Sequence, residues 1–182
     1  LLCGLPGVPF LYQGAELGLE DIAVPLDRLR DPVAVRNADP TDGRDGCRTP
    51  MPWDSGPNCG FSTSAETWLP VGPRAEADTV EAQRHDPMSV LRRTRELLTV
   101  YASMPDLHAQ PLTWLTHAPD PVLALLRGHT IVVVHAGDEP ATLRLPAGTW
   151  EIIYDRAGRP PPDPIQGTLR LDPVDALVLH RA

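Results

Sequence analysis

GRDGCRTPMPW occupies residues 43–53 and combines two arginines, one aspartate, two glycines, two prolines and a tryptophan. Proline removes an amide donor and fixes φ, whereas glycine permits backbone conformations that other residues avoid, so a shaped loop is expected rather than a helix or a strand. Guanidinium groups donate in a fixed fork geometry that suits a polar ligand or a buried carboxylate. Two interpretations follow from these residues alone. The loop either binds a ligand or carries an Arg–Asp ion pair that holds a long connection together.

The loop lies within a longer stretch, residues 14–85, that is predicted to be mainly irregular. Within it, residues 19–42 carry many Asp, Pro and Arg residues and show little sustained periodicity. One short helix is expected within it, around residues 26–29. Irregular connections of this length inside a compact domain are usually functional. The surroundings of the loop therefore favour the binding interpretation.

Regular structure is predicted on both sides of this stretch. Residues 1–5 are typical of the last turn of a helix, and residues 8–12 form a nearly continuous apolar run, as in a buried parallel strand. A helix is predicted from Asp86-Pro87 to Pro105, because Asp is a good N-cap and Pro suits the first helical position. Its apolar side recurs at helical spacing and includes Met88, Leu91, Thr94, Leu97, Leu98 and Tyr101. We expect Arg92, Arg93 and Arg95 to form a solvated face.

After Pro105 the pattern changes to short apolar runs separated by glycine-containing turns. We predict six strands, at residues 122–127, 130–135, 141–145, 150–154, 168–171 and 176–180. Short strands with hairpin-type turns predict an antiparallel β-sandwich. The three prolines at 160–162 are interpreted as an exposed spacer, and no functional site is predicted in this half.

Charge and composition exclude several classes of function. A net charge of −8 argues against nucleic acid, which needs basic surface, and against an anionic membrane surface. No apolar stretch approaches the roughly 20 residues that a membrane span needs. A neutral polar ligand is compatible with this charge.

The cysteines and histidines predict neither a metal nor a cofactor. Three cysteines without metal-type spacing favour a reduced, cytoplasmic chain, and the six histidines are dispersed. The chain begins at Leu1 inside an apolar run, so we expect an upstream portion.

Several motifs resemble the α-amylase family of glycoside hydrolases. GVPFLYQG at residues 7–14, with Glu16 and Gly18, is similar to the eighth barrel strand of that family. Residues 43–53, followed by 58–61 and 68–70, resemble its α-glucosidase and oligo-1,6-glucosidase branch, and residues 79–91 fit the lead into the eighth barrel helix. The fold class implied is α/β plus all-β. Residues 1–104 would be the last βα unit of a (β/α)₈ barrel with a long active-site-face loop, and residues 105–182 an antiparallel β-sandwich domain.

This resemblance implies a retaining double displacement by two carboxyl groups about 5 Å apart. The family carries its catalytic acids on barrel strands four, five and seven, which this chain does not contain. Glu16 and Asp45 do not match catalytic positions. We therefore expect the C-terminal portion of an α-glucosidase, inactive alone, whose partners are the missing N-terminal barrel portion and a small α-glucoside of the maltose, isomaltose or sucrose type.

The substrate-binding residues implied are Arg48, Arg44 and Asp45. The arginine that matches Arg48 closes the pocket around the non-reducing glucose in α-glucosidases, where a charged donor reads the 4-hydroxyl. Arg44 and Asp45 are expected to shape and orient the loop, with direct sugar contact as the alternative. For Trp53 and Trp68 we expect core anchoring rather than stacking on a sugar.

Two alternatives remain open at this level. One is a trehalose synthase or a sucrose-acting relative with the same barrel. The other is a non-catalytic carbohydrate-binding or interaction module. Ala15, Cys59 and His135 depart from residues common in the family, and Ala15 is expected to weaken the support beneath the active-site face.

Overall fold

A computed structural model of the chain describes residues 1–73 and 75–182. Within these residues the α-helices are α1 (Pro32–Asn37), α2 (Val80–His85), α3 (Val90–Ser103) and α4 (Pro105–Ala109). The strands are β1 (Leu112–Trp114), β2 (Val122–Arg127), β3 (Thr130–His135), β4 (Ala141–Arg144), β5 (Trp150–Asp155), β6 (Thr168–Leu171) and β7 (Asp175–Arg181). The chain divides into two compact units, one formed by Leu11–Arg92 and one by Leu1–Phe10 together with Arg93–Ala182. The predicted domain boundary after residue 104 stays a prediction.

All strands belong to the second unit and pair antiparallel. Five form a sheet in the order β1-β2-β3-β7-β5, and β4 pairs with β6 in a two-stranded sheet. The predicted runs 122–127, 130–135 and 168–171 coincide with β2, β3 and β6, and the other three are confirmed to within one residue at an end. The sequence analysis missed β1, because three residues after a proline are too few to show an alternating pattern.

Apolar side chains from both sheets share one core. Leu143 and Leu171 from the two-stranded sheet, and Ile131, Val133 and Leu179 from the five-stranded sheet, are 0% exposed. Side chains of successive strand residues alternate between faces. In the two-stranded sheet this leaves neighbours such as Arg144 and Arg170 exposed, whereas Val132 and Val178 of the five-stranded sheet are buried in a second apolar cluster. The predicted antiparallel sandwich is confirmed.

Helix α3 begins three residues later than predicted, at Val90 instead of Pro87. Asp86 lies directly after α2, and its Oδ1 accepts from the Met88 amide, so Asp86-Pro87 forms a turn between two helices. Ser89 takes the capping role, since its Oγ accepts from the Arg92 amide at 3.3 Å. An Asp-Pro pair is compatible with a turn as well as with the start of a helix. Here Ser89 caps the helix, which therefore begins at Val90.

The packed face of α3 lies in its C-terminal half. Leu97, Val100 and Tyr101 pack against a second apolar cluster, which includes Leu125 and Val132 of the five-stranded sheet. The expectation of a fully solvated arginine face is wrong for Arg93. Its guanidinium pairs with Glu96 at 2.7 Å, and its side chain is only 16% exposed.

Residues 8–12 form neither a helix nor a strand, which corrects the predicted parallel strand. Val8 and Phe10 are 76% and 85% exposed. A strand is defined by backbone hydrogen bonds to a neighbour, and no strand among the described residues pairs with this segment. An apolar run of this kind predicts a buried strand, but its side chains are largely exposed in this structure.

The unit Leu11–Arg92 is built from short helices and turns around a small core of Val24, Leu29, Ala34 and Leu69. The helix expected around residues 26–29 is a single 3₁₀ turn, Leu26–Arg28. Helix α1 was not predicted, although Asp31 and Pro32 stand at its N-cap and first position. Helix α2 was not predicted either. Apart from these helices and the start of α3, the described residues of this unit form the mainly irregular stretch that the sequence predicts.

Candidate functional site: the Arg48 loop

The Arg48 loop, defined as residues 43–53, contains one 3₁₀ turn, Gly46–Arg48. The Arg48 amide donates to the Asp45 carbonyl at 3.0 Å, which closes that turn. Gly43 and Gly46 lie so close to neighbouring atoms that a side chain at either position would clash. A Cβ at Gly43 would lie 2.8 Å from the Ala34 Cβ, and one at Gly46 would lie 2.9 Å from the Ile22 carbonyl oxygen. The loop is therefore a shaped and closely packed segment.

Asp45 is 0% exposed and binds backbone amides. Its Oδ2 accepts from the amides of Arg30 and Asp31 at 2.6 and 2.8 Å. Its Oδ1 has no hydrogen-bond partner among the residues that the structure describes. The Asp45 carboxylate thus connects residues 30–31 to the loop through hydrogen bonds. Because it is fully buried, it is not accessible to a ligand in this structure.

Asp31 joins the two ends of the connection. Its Oδ1 accepts from the Val33 amide at 3.0 Å and caps α1. Its Oδ2 accepts from the Arg44 amide at 3.2 Å and from Nη1 of Arg48 at 3.4 Å. The pKa of Asp31 is held below its ordinary value, chiefly by the hydrogen bond from the Val33 amide. The hydrogen bond from the Arg44 amide and the positive charge of Arg48 lower this pKa further.

Arg48 is anchored on one side only. Its side chain is 36% exposed and contacts Asp31 through Nη1. A guanidinium carries five N–H donors. Within residues 1–73 and 75–182, no other acceptor is recorded for the side chain of Arg48. The Arg44 side chain is exposed. The loop thus carries two arginines, one held by Asp31 and partly exposed, and one with an exposed side chain.

A cavity of about 150 Å³ lies beside the loop within the same unit. Gly46, Cys47 and Thr49 line one side of it, and Gln13 and Asp21 are among the residues on the other. Its walls carry polar groups together with apolar side chains such as Leu19 and Met51, and neither Arg44 nor Arg48 lines it.

Two other sequence candidates fall outside this arrangement. Glu16 accepts from the Gly14 amide at 2.9 Å and so stabilises its own turn. Trp53 and Trp68 are 47% and 63% exposed, and the expected core anchoring is therefore wrong in this structure. Exposed indole faces of this kind are free to stack on a ligand.

Sequence reasoning missed Asp31. The sequence indicated only its local role, because an Asp followed by a Pro is typical of the N-cap and first position of a helix. Its second partner, Arg48, lies 17 positions further along the chain. No residue pattern predicted that contact.

The described residues contain no group of three or more His, Cys, Asp or Glu side chains that could hold a metal ion. All three cysteines are free. None of the helices described is long and apolar enough to cross a membrane.

Most of the chain matches known proteins. A family model described as "Alpha amylase, catalytic domain" matches residues 1–108. A "Probable alpha-glucosidase" of Rhizobium meliloti (strain 1021) is 36% identical over 150 residues, which is 80% of this chain and 27% of that relative.

Two solved structures extend the similarity to the whole chain. The alpha-glucosyl transfer enzyme XgtA is 37% identical with a TM-score of 0.83, over 99% of this chain and 34% of that one. The trehalulose synthase MutB from Pseudomonas mesoacidophila MX-45 is 25% identical with a TM-score of 0.84, over 100% of this chain and 37% of that one. The chain therefore spans about a third of the length of these proteins, or less.

These matches confirm the predicted fold class, the end of a (β/α)₈ barrel followed by an antiparallel β-sandwich. They also confirm the resemblance that residues 7–14 and 43–53 carry. The chain belongs to the family of the α-amylase catalytic domain.

Proposed function

We propose that this chain is the C-terminal portion of a retaining α-glucosidase that acts on short α-glucosides from the non-reducing end. The observation that carries the proposal is the Arg48 loop. It lies in the part of the chain that matches the family, and it presents a guanidinium that is held on one side and exposed on the other.

The reaction needs two carboxyl groups about 5 Å apart, one attacking the anomeric carbon and one protonating the leaving oxygen. The two carboxylates considered as catalysts have other partners in this structure: Asp45 accepts from backbone amides, and Glu16 accepts from the Gly14 amide of its own turn. We therefore assign the catalytic acids to an upstream part of the complete protein. It follows that the 182 residues alone are inactive.

In this proposal Arg48 donates to the 4-hydroxyl of the terminal glucose. A site built around such a hydrogen bond rejects a substrate that lacks the hydroxyl, because the buried donor would be left unpaired. It also refuses a chain extended at that oxygen, which restricts the enzyme to the non-reducing end. Arg44 adds a second exposed donor, and Asp45 supports the site by shaping the loop.

The second candidate is glucosyl transfer or sucrose isomerisation instead of hydrolysis. It is favoured by the similarity to XgtA and MutB over nearly the whole chain. The Arg48 contact would serve all of these reactions equally, since each begins by holding a terminal glucose. Their products distinguish them. A cytoplasmic location is part of the proposal and is supported by the free cysteines.

Two assays test the proposal. The 182-residue chain is incubated with p-nitrophenyl α-glucoside, and no enzymatic turnover is expected; turnover at an enzyme-like rate would place the catalytic acids within this chain. The complete gene product is then incubated with maltose, isomaltose and sucrose, and the products are analysed. Glucose release supports the α-glucosidase, and isomeric disaccharides support the second candidate. If it consumes none of these sugars, both assignments are wrong.

A further inference from the structure

We propose that a cleft at the end of β4 binds a small organic carboxylate. The charged end of this ligand pairs with the guanidinium of Arg144, and its apolar body covers the floor of the cleft. All residues that line the cleft belong to the unit of Leu1–Phe10 and Arg93–Ala182, called the β unit below. The proposal goes beyond the proposed function and does not depend on it.

The cleft has a volume of about 540 Å³, which lies within the range of small-molecule sites. Three segments of the chain line it. His117 belongs to the connection between β1 and β2, and Gly167 directly precedes β6. The third segment is residues 144–147, which continue from the end of β4. The fold thus brings together residues that lie far apart in the sequence.

The first half of the segment 144–147 is held by hydrogen bonds to the other two segments. The Arg144 carbonyl lies 2.8 Å from Nε2 of His117, and because a carbonyl only accepts, this nitrogen carries the hydrogen. The Leu145 amide donates to the Gly167 carbonyl at 2.8 Å. The three segments are therefore joined to each other directly.

The second half of the segment is held by side chains of β5 and β7. The Pro146 carbonyl accepts from Nε1 of the buried Trp150 at 2.9 Å. The Ala147 carbonyl accepts from the Arg181 guanidinium, which also lies 5.4 Å from the centre of the Trp150 ring. Four successive residues are thus fixed in the free protein, and a preformed site lowers the ordering cost of binding.

The polar groups that these contacts leave over define the charge of the ligand. For the side chain of Arg144 no acceptor is recorded within residues 1–73 and 75–182. No described residue that lines the cleft is acidic, although the chain has a net charge of −8. A guanidinium donates in a fork that matches an oxyanion such as a carboxylate. The cleft therefore suits an anion.

The floor of the cleft decides which anion fits. Leu145, Pro146 and Ala147 contribute apolar groups to it, and a ligand with an apolar body gains free energy by covering them. A phosphate group carries about 1.5–2 negative charges and has no apolar body. One guanidinium beside an apolar floor matches one carboxylate on an apolar body.

Benzoate is the probe, because it joins one carboxylate to one apolar ring. Its binding to the complete protein is measured by isothermal titration calorimetry. Acetate supplies the charge without the ring, and benzyl alcohol supplies the ring without the charge. We expect saturable binding of benzoate, with at least about tenfold weaker binding of acetate and of benzyl alcohol.

The variant is Arg144→Gln, and the matched control is Arg170→Gln. Both change the charge by the same amount at an exposed residue of the two-stranded sheet, but Arg170 does not line the cleft. We expect R144Q to raise the Kd of benzoate about three- to tenfold, the size of an exposed charge-assisted contact, and R170Q to leave it unchanged. Circular dichroism checks that both variants are folded.

Four results would overturn the proposal. They are no saturable binding of benzoate, an unchanged Kd in R144Q, an equal loss of affinity in R144Q and R170Q, and benzyl alcohol that binds as tightly as benzoate. Equal losses would reduce the effect to the overall charge of the protein, and tight binding of the alcohol would mean that the carboxylate is not recognised.

Discussion

At the scale of single residues, the least expected feature is a carboxylate that is fully enclosed in an irregular loop. Asp45 reaches two successive amides, those of Arg30 and Asp31, at 2.6 and 2.8 Å. Hydrogen bonds that backbone amides donate to a carboxylate are stronger than neutral ones, and their loss leaves two donors without partners. The shape of the Arg48 loop depends on this one side chain.

Replacing Asp45 by alanine should therefore destabilise the unit Leu11–Arg92 by about 2–3 kcal/mol. Urea unfolding combined with hydrogen exchange of the Arg30 and Asp31 amides measures the change. Asp42→Ala, at an exposed position of the same connection, should stay within about 0.5 kcal/mol of the wild type. If both variants behave alike, the amide contacts of Asp45 do not stabilise the loop.

The titration of Asp31 predicts how this region responds to acid. Its pKa is lowered in the folded protein, so its contribution to stability is fully present above the ordinary carboxyl value of about 3.9 and is lost as pH falls through the folded value. The difference in unfolding free energy between wild type and D31N should be constant from pH 7 to 5 and shrink below about pH 4. Urea titrations at several pH values check this, and a difference that grows with acid would contradict it.

A third residue carries backbone strain. Val174 has φ of +51°, in the left-handed region that β-branched residues avoid, and its side chain is 49% exposed. Its amide donates a hydrogen bond to the Gly137 carbonyl, and its carbonyl accepts one from the Arg156 side chain. Asparagine tolerates this conformation far better than valine.

Val174→Asn should consequently raise the free energy of unfolding of the β unit by about 0.5–1 kcal/mol. Thermal and urea denaturation measure it. Alanine at the same position keeps the Cβ that causes the strain and is the matched control, with little gain expected. A destabilised V174N would mean that the valine side chain makes contacts worth more than the strain.

At the scale of elements, the loops after β5 and β6 are joined by one guanidinium. Arg159 Nη2 lies 2.8 Å from both carboxylate oxygens of Asp175, and its Nε lies 2.7 Å from Asp155. A third carboxylate, that of Asp172, binds Nη1. The hydrogen bonds from Asp155 and Asp175 raise the pKa of Arg159 above its ordinary value, so the group stays charged. Two loops of the sandwich are thereby held to each other.

Arg159→Met should destabilise the β unit by about 1–2 kcal/mol, because the carboxylate of Asp175 is buried and loses its cation. The effect is smaller than for an enclosed pair, since the Arg159 side chain is 37% exposed and water screens the charges. Denaturation monitored by near-ultraviolet circular dichroism measures it. Arg170→Met on the exposed face of β6 is the control, and an equal effect there would refute the assignment.

Elements whose signals are local were predictable from the sequence. The strands β2, β3 and β6 coincide with their predicted ranges because short apolar runs and the turns between them lie within a few residues of one another. Residues 8–12 did not become a strand, because pairing requires a neighbour that no local pattern supplies. The Asp31–Arg48 contact and the burial of Asp45 were unpredictable for the same reason, since each joins segments more than a dozen residues apart.

At the scale of the whole molecule, the most informative fact is how small a part of its relatives' length the chain covers. It covers 27% of the Rhizobium meliloti relative and 34% of XgtA, yet it superposes on the latter over 99% of its own length. The exposed apolar residues Val8 and Phe10 lie where a barrel strand is expected to be covered on both faces. Both facts agree with an account in which these residues complete a larger barrel that supplies the catalytic acids.

The central claim is that the guanidinium at position 48 contacts the terminal glucose. The most direct measurement is kcat/KM of the complete protein on maltose, compared between wild type and Arg48→Ala, with urea unfolding of both as the reference. The account predicts a loss of about 10- to 100-fold, the value of a charged hydrogen bond to substrate, with the unfolding free energy changed by less than about 1 kcal/mol. Unchanged activity, or a loss no larger than the accompanying loss of folded protein, would contradict it.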